Sequence, residues 1–145
     1  MIPVNEPHRV TSKFRERRDL PPWGVHYHDG VDFVSSKDKN VYCAAEGVVI
    51  ADRDVYEHAK RWVKDSGNSV GNRVIIKSIV GGKTYYAAYY HLINNYVSEG
   101  QTVETGKLIG LYDDVGMSYG AHLHFMAWDE HWNVVDPSIL LEVAG

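Results

Sequence analysis

Residues 73–90 read RVIIKSIVGGKTYYAAYY, two runs dense in β-branched and aromatic residues separated by Gly81–Gly82. Such side chains fit a pleated surface better than a helix, and a Gly-Gly pair accepts the left-handed backbone of a tight hairpin. The expectation is an antiparallel hairpin of strands over 73–79 and 83–90. The same signature recurs along the chain. Val10–Phe14 opens as a strand, Asp29–Gly30 precedes VDFV, and GVVIA (47–51), QTV, KLIGLY and AHLHFMAW follow between turn residues. Strands at this spacing point to a mainly β fold of antiparallel sheets, a sandwich or barrel, rather than to βαβ units.

One segment breaks the pattern. Val55, Ala59, Trp62 and Val63 fall at i, i+4, i+7 and i+8, one helical face, and Gly67 is a natural stop. The expectation is a helical insertion over about 54–65, with His58 off the apolar face. DPSILLEVAG turns at Asp136–Pro137 and closes in a short helical turn. A chain of 145 residues fits one domain over 1–145 with one core. The formal charge is −4, and the most basic run, Lys13–Arg18, contains Glu16, which argues against nucleic acid as a partner. No segment is apolar for long enough to insert in a membrane, and the first ten residues lack a signal peptide's apolar core. The single cysteine, Cys43, allows no intrachain disulfide and reads as a small buried hydrophobe.

Three of the clusters formed by the eight histidines carry the chemistry. HYHDGVD holds His28 and Asp32, YYHL holds His91, and GAHLHF holds His122 and His124. On a strand, His122 and His124 share a face. Zinc favours imidazole and carboxylate in a tetrahedral set, and a catalytic site keeps a fourth position for water. One histidine and the aspartate of HYHDGVD with one histidine of HLH meet that need, and two histidines remain beside the metal. His26 makes HYH a second HxH pair and competes with His28, although the spacing to Asp32 favours His28. Asp29 reads as a turn residue. Strand alternation places Tyr89 with His91 and so makes Tyr89, with Trp23, an expected cleft wall, while Tyr86 and Tyr90 face the other way.

HYHDGVDF, VYCAAEGVVIA, GNRVIIK, YYHL, VSEGQTVETGKLIG, MSYGAHLHFMAW and VVDP, in that order, resemble the M23 family of zinc metallopeptidases, the lysostaphin-like enzymes that cut peptidoglycan peptides. The likeness runs from about Thr11 to Pro137. It implies a LytM-like β-sandwich with a groove, and zinc held by His28, Asp32 and His124. It places His91 and His122 at the family's two histidines that do not bind metal, His122 as general base and His91 as oxyanion donor, with exchange of the two open. The implied partner is bacterial peptidoglycan. With no signal peptide seen, the setting it suggests is a phage lysis or virion-associated enzyme. The sequence departs from the family at Arg15, where a glycine is common, at Met126, where an acidic residue is common, and at Lys77, where a histidine is common. The competing reading is a non-catalytic wall-binding or regulatory module of the same family. VSEGQTVETGKLIG also resembles a biotinyl or lipoyl carrier hairpin, but no lysine sits at its turn. A D-Ala-D-Ala-type zinc peptidase is disfavoured by the motif order.

Overall fold

The Gly81–Gly82 pair turns the chain as its sequence demands, with φ of +59° and +78° at the two positions, and Val80 faces Lys83 across the turn. The structure, a computed structural model, describes residues 1–19, 21–22, 24–51, 72–113 and 120–143. The helical insertion expected over 54–65, with His58, lies outside the described residues, as does Trp23. In chain order the strands are β1 (His8–Ser12), β2 (Arg17–Asp19), β3 (Val25–Tyr27), β4 (Val31–Ser35), β5 (Asn40–Tyr42), β6 (Gly47–Ala51), β7 (Asn72–Val80), β8 (Lys83–Asn95), β9 (Thr102–Val103), β10 (Leu108–Tyr112), β11 (Leu123–Asp129) and β12 (Val134–Val135). A four-residue helix, α1 (Ser138–Leu141), follows Asp136–Pro137.

Ten strands form one antiparallel sheet with the central order β1-β4-β11-β8-β7-β6-β9, and β2 and β3 form a separate ribbon. β8 is the long member. Its first part pairs with β7 and β11, and its last residues, Leu92–Asn95, pair with β10, which also holds β5. The sheet thereby curls over its own core. Alternation decides which side chains enter that core. Phe33, Val74, Ile76, Ala87, Tyr89, Leu123, Phe125 and Ala127 pack there with Val41, Ile109 and Leu140. The opposite face carries a smaller apolar cluster of Ala51, Ile75, Ala88, Tyr90 and Met126, flanked by Tyr86, Trp128 and Val134. Among the described residues no helix is long and apolar enough to cross a membrane.

Two buried polar groups lock the core. The Tyr89 side chain is wholly buried, and its hydroxyl accepts the Ala44 N–H at 2.9 Å. Cys43 is buried too, its thiol donating to the Ala45 carbonyl at 3.1 Å. Arg15, at the position where a glycine was expected, adopts φ of +64°. The left-handed backbone is kept there with a bulky residue in place, and the Arg15 guanidinium lies over the Phe14 ring at 5.0 Å.

Candidate functional site

β4 and β11 are hydrogen-bonded neighbours, and their register sets Asp32 directly opposite His124. On its other side His124 faces Tyr90 of β8. These residues lie on the face of the sheet opposite the main core. His28 begins the loop that leads from β3 into β4, and its ring reaches Asp32. The result is a triangle of side-chain donor atoms. His124 Nδ1 is 2.8 Å from Asp32 Oδ1, His28 Nε2 is 3.2 Å from His124 Nδ1, and His28 Nε2 is 3.4 Å from Asp32 Oδ1. Bonds of ~2.0–2.2 Å to a tetrahedral zinc ion put ligand atoms roughly 3.3–3.6 Å apart. The triangle is close to that size and slightly tighter, so the donor set fits the ion.

The outer nitrogens of the two rings also have partners. His28 Nδ1 lies 3.0 Å from the Lys13 carbonyl oxygen, which can only accept. In the neutral ring the proton therefore sits on Nδ1, and Nε2 presents its lone pair to the triangle. The Ser12 hydroxyl accepts from Arg18, donates to Glu16 at 3.0 Å and stands 3.1 Å from His28 Nδ1. Arg18 Nη2 is also 3.6 Å from the second Asp32 oxygen. Asp29 Oδ1 lies 3.1 Å from His124 Nε2. Such outer partners fix ring orientation in metal centres.

The electrostatics suit a cation. Burial alone would raise the Asp32 pKa, but hydrogen bonds from His124 and His28 outweigh it and hold the carboxyl well below the ordinary range. Burial alone would lower that of His124, but its hydrogen bonds to Asp29 and Asp32 outweigh burial and raise it to about 9. Asp29 is held low, chiefly by its hydrogen bond with His124. Two carboxylates, Asp29 and Asp32, thus flank the His124 ring and favour positive charge there. A divalent cation meets that demand.

His91 and His122 flank the triangle. Their ring centroids are 4.7 Å apart and edge-on, and His91 is 6.2 Å from the His124 ring. His122 Nδ1 lies 3.0 Å from the Gly120 carbonyl, so in the neutral ring Nδ1 holds the proton and Nε2 carries the lone pair. That Nε2 is 3.9 Å from Asp32 Oδ2. All five side chains expected from the sequence are therefore brought together: His28, Asp32, His91, His122 and His124. His26 is exposed on β3, in the separate ribbon, opposite Arg18.

The expected cleft wall is corrected. Tyr89 faces the main core, and it is Tyr90 whose ring contacts His124, at 5.4 Å. The cause is a break in alternation. The register between β7 and β8 slips between Asn72 and Val74, and His91 adopts φ of +68°. Two residues of β8 oppose one of β7, a bulge that turns His91 toward the same site as Tyr90. Period-two reading of KTYYAAYYH has no means to anticipate this. Sequence reading also missed Arg18 and the pairing of Asp29, which look like surface residues until the loop before β4 is folded. A cavity of about 730 Å3 continues from Asp29 and Tyr90 past Met126 to Trp128, Trp132 and Val134. Its far wall is built at a cost. Trp132 has φ of +63° and stacks on Tyr86 with centroids 3.9 Å apart.

A model of peptidase family M23 matches residues 26–137. The chain is 35% identical over 124 residues to the peptidoglycan DD-endopeptidase ShyA of Vibrio cholerae, and that match covers 85% of this chain and 25% of the relative. It is 32% identical to an uncharacterized metalloprotease of Haemophilus influenzae, covering 85% of this chain and 23% of the relative. The chain thus spans about a quarter of the length of these curated relatives. Among solved structures, a zinc-containing peptidase from Vibrio cholerae superposes with a TM-score of 0.72 at 30% identity, over 98% of this chain and 39% of that one. The catalytic domain of lysostaphin from Staphylococcus simulans gives 0.69 at 23% identity, over 94% and 93% of the two chains, a likeness of fold.

Proposed function

This chain belongs to peptidase family M23, and on that premise we propose that it is a zinc-dependent endopeptidase hydrolysing peptide bonds in bacterial peptidoglycan. The observation that carries the reading is the donor triangle of His28 Nε2, Asp32 Oδ1 and His124 Nδ1, with edges of 2.8–3.4 Å, beside two histidines whose rings face it. His28, Asp32 and His124 would hold the ion. Bound there, zinc supplies Lewis acidity toward the scissile carbonyl and lowers the pKa of water from 15.7 to about 7.

The chain's own residues do the rest. Arg18, with Nη2 3.6 Å from the second Asp32 oxygen, helps orient that carboxylate. His122, with its Nδ1 proton committed to the Gly120 carbonyl, offers Nε2 as the base that takes the nucleophile's proton and returns it to the leaving amine. His91, edge-on to His122, is placed to donate an N–H to the oxyanion that develops on the carbonyl. Removing one such donor typically costs ~10²–10³ in kcat. The groove past Tyr90 and Met126 gives the peptide a bed beside the reacting bond.

The test is digestion of purified sacculi of differing cross-bridge chemistry, with and without a chelator, followed by mass analysis of the fragments. One relative is named a DD-endopeptidase, so D-Ala cross-links are the first bond to examine. Zinc-loaded protein is expected to release peptide fragments, chelated protein none. His124→Ala should lose both zinc and activity, and His122→Ala should retain zinc while losing most turnover. A wild-type protein that binds zinc and wall without releasing any fragment would instead establish the non-catalytic module. Full cleavage by His122→Ala would remove the assigned base.

A further inference from the structure

Asp29 lies between two proposed metal ligands, His28 and Asp32, in the chain, yet its carboxylate addresses the far side of the third, His124. The His124 ring has two nitrogens, and the site uses both. Nδ1 points into the triangle, 2.8 Å from Asp32 Oδ1. Nε2 points away from it, 3.1 Å from Asp29 Oδ1. A neutral imidazole carries one proton, and whichever nitrogen holds it cannot bind a metal. An acceptor fixed at Nε2 keeps the proton there and leaves the Nδ1 lone pair for the ion. His28 is treated in the mirror sense, with Nδ1 held by the Lys13 carbonyl and Nε2 turned inward.

We propose that Asp29 is a positioning residue for the metal, its carboxylate accepting the Nε2 proton of His124 and so selecting the ring form and orientation that bind through Nδ1. The inference rests on the functional reading above, since it concerns the same ion. It gives a role to a side chain that sequence reading left as a turn residue. The role suits the exposure of the group. The Asp29 side chain is 55% exposed against 15% for His124, so the carboxylate is not a packing element, and its loss leaves the core untouched. It also distinguishes Asp29 from a fourth ligand. Its oxygen, with one donor atom each from His28 and His124, forms a group within 4.8 Å, but the oxygen meets His124 at the nitrogen that faces away from the triangle.

The test compares wild type, Asp29→Asn and Asp29→Ala. Zinc affinity is measured by competition with a chromophoric chelator, with far-UV circular dichroism as the check on folding. Outer partners of metal-binding histidines typically contribute ~10–100-fold to affinity, and a loss of that size is expected for Asp29→Ala. Asparagine keeps an acceptor oxygen without the charge, so Asp29→Asn should fall between the other two. In zinc-loaded protein labelled with 15N-histidine, the His124 Nε2–H proton should be downfield and slow to exchange in wild type, and fast to exchange in Asp29→Ala. A purely structural role would not move that signal. Equal zinc affinity and unchanged proton exchange in Asp29→Ala overturn the inference alone. A cobalt-substituted Asp29→Asn whose visible spectrum reports a lower coordination number overturns it in favour of a ligand. A wild-type protein that takes up no zinc overturns the functional reading, and this one with it.

Discussion

Gly30→Ala is the smallest change that should disable the metal centre without touching a donor atom. Gly30 is buried just before β4, pressed against β11. A Cβ there would stand 2.4 Å from the Phe125 carbonyl oxygen, 2.9 Å from His124 Cε1 and 3.0 Å from Met126 Cβ. Ordinary contact begins near 3.4 Å, so β4 and β11 must separate by about 1 Å at this point. Those strands carry Asp32 and His124, whose atoms set the 2.8 Å edge of the triangle. A designed site tolerates displacements of ~0.5 Å, and a 1 Å misplacement is enough to cost ~10² in rate. Zinc affinity should fall by at least ~10–100-fold, the range seen when a centre's support is disturbed. Overpacking should also cost ~1–3 kcal/mol of stability, roughly 3–10 °C in the melting temperature of metal-free protein. The assay is chelator competition together with thermal unfolding of the metal-free form. Gly82→Ala is the control: φ is +78° and a Cβ would meet nothing within 4 Å, so it should lower stability through strain yet leave zinc affinity alone. Gly30→Ala with wild-type zinc affinity and an unchanged melting temperature would refute the close-approach argument.

Tyr89→Phe removes the acceptor of the buried Ala44 N–H and should cost ~1–3 kcal/mol, read as a lower urea midpoint with the zinc affinity unchanged; unchanged stability with a raised KM would return Tyr89 to the cleft. Burial raises the Cys43 thiol to about 11 from 9.0. Below pH 9 the thiol is neutral in both folded and unfolded chains and has no effect. Above it the unfolded chain ionises first, so stability should fall between pH 9 and 11 by up to about 3 kcal/mol, less in Cys43→Ser. Rapid alkylation of Cys43 in folded protein at pH 8 would contradict its burial.

Much of this was legible in the residues because two strong signals coincide. β-branched and aromatic runs between turn residues mark β6, β7, β8 and β11, and Gly81–Gly82 fixes one hairpin with its register. HDGVD and HLH each carry imidazole or carboxylate side chains a few residues apart, and the β4–β11 register sets Asp32 opposite His124. The illegible parts are those where the chain leaves its own period. His91 reaches the site through a bulge, so it joins Tyr90 rather than Tyr89, and Leu92 returns to the core beside Tyr89. Arg15 and Trp132 hold left-handed backbone that no propensity would assign to them. Asp29 looks like half of an Asp-Gly turn, and only the folded loop reveals its contact with His124. Gly30 looks like the other half, although its φ is not in the left-handed region and its constraint is the nearness of β11.

The donor triangle joins residues 92 and 96 positions apart, and no short piece of chain contains all of it. A nascent or unfolded polypeptide can offer the ion only scattered single ligands. Full coordination would have to wait until the β4–β11 seam, a long-range closure, has zipped. An ion held there would act as a latch on finished molecules, raising the free-energy cost of reopening that seam by mass action.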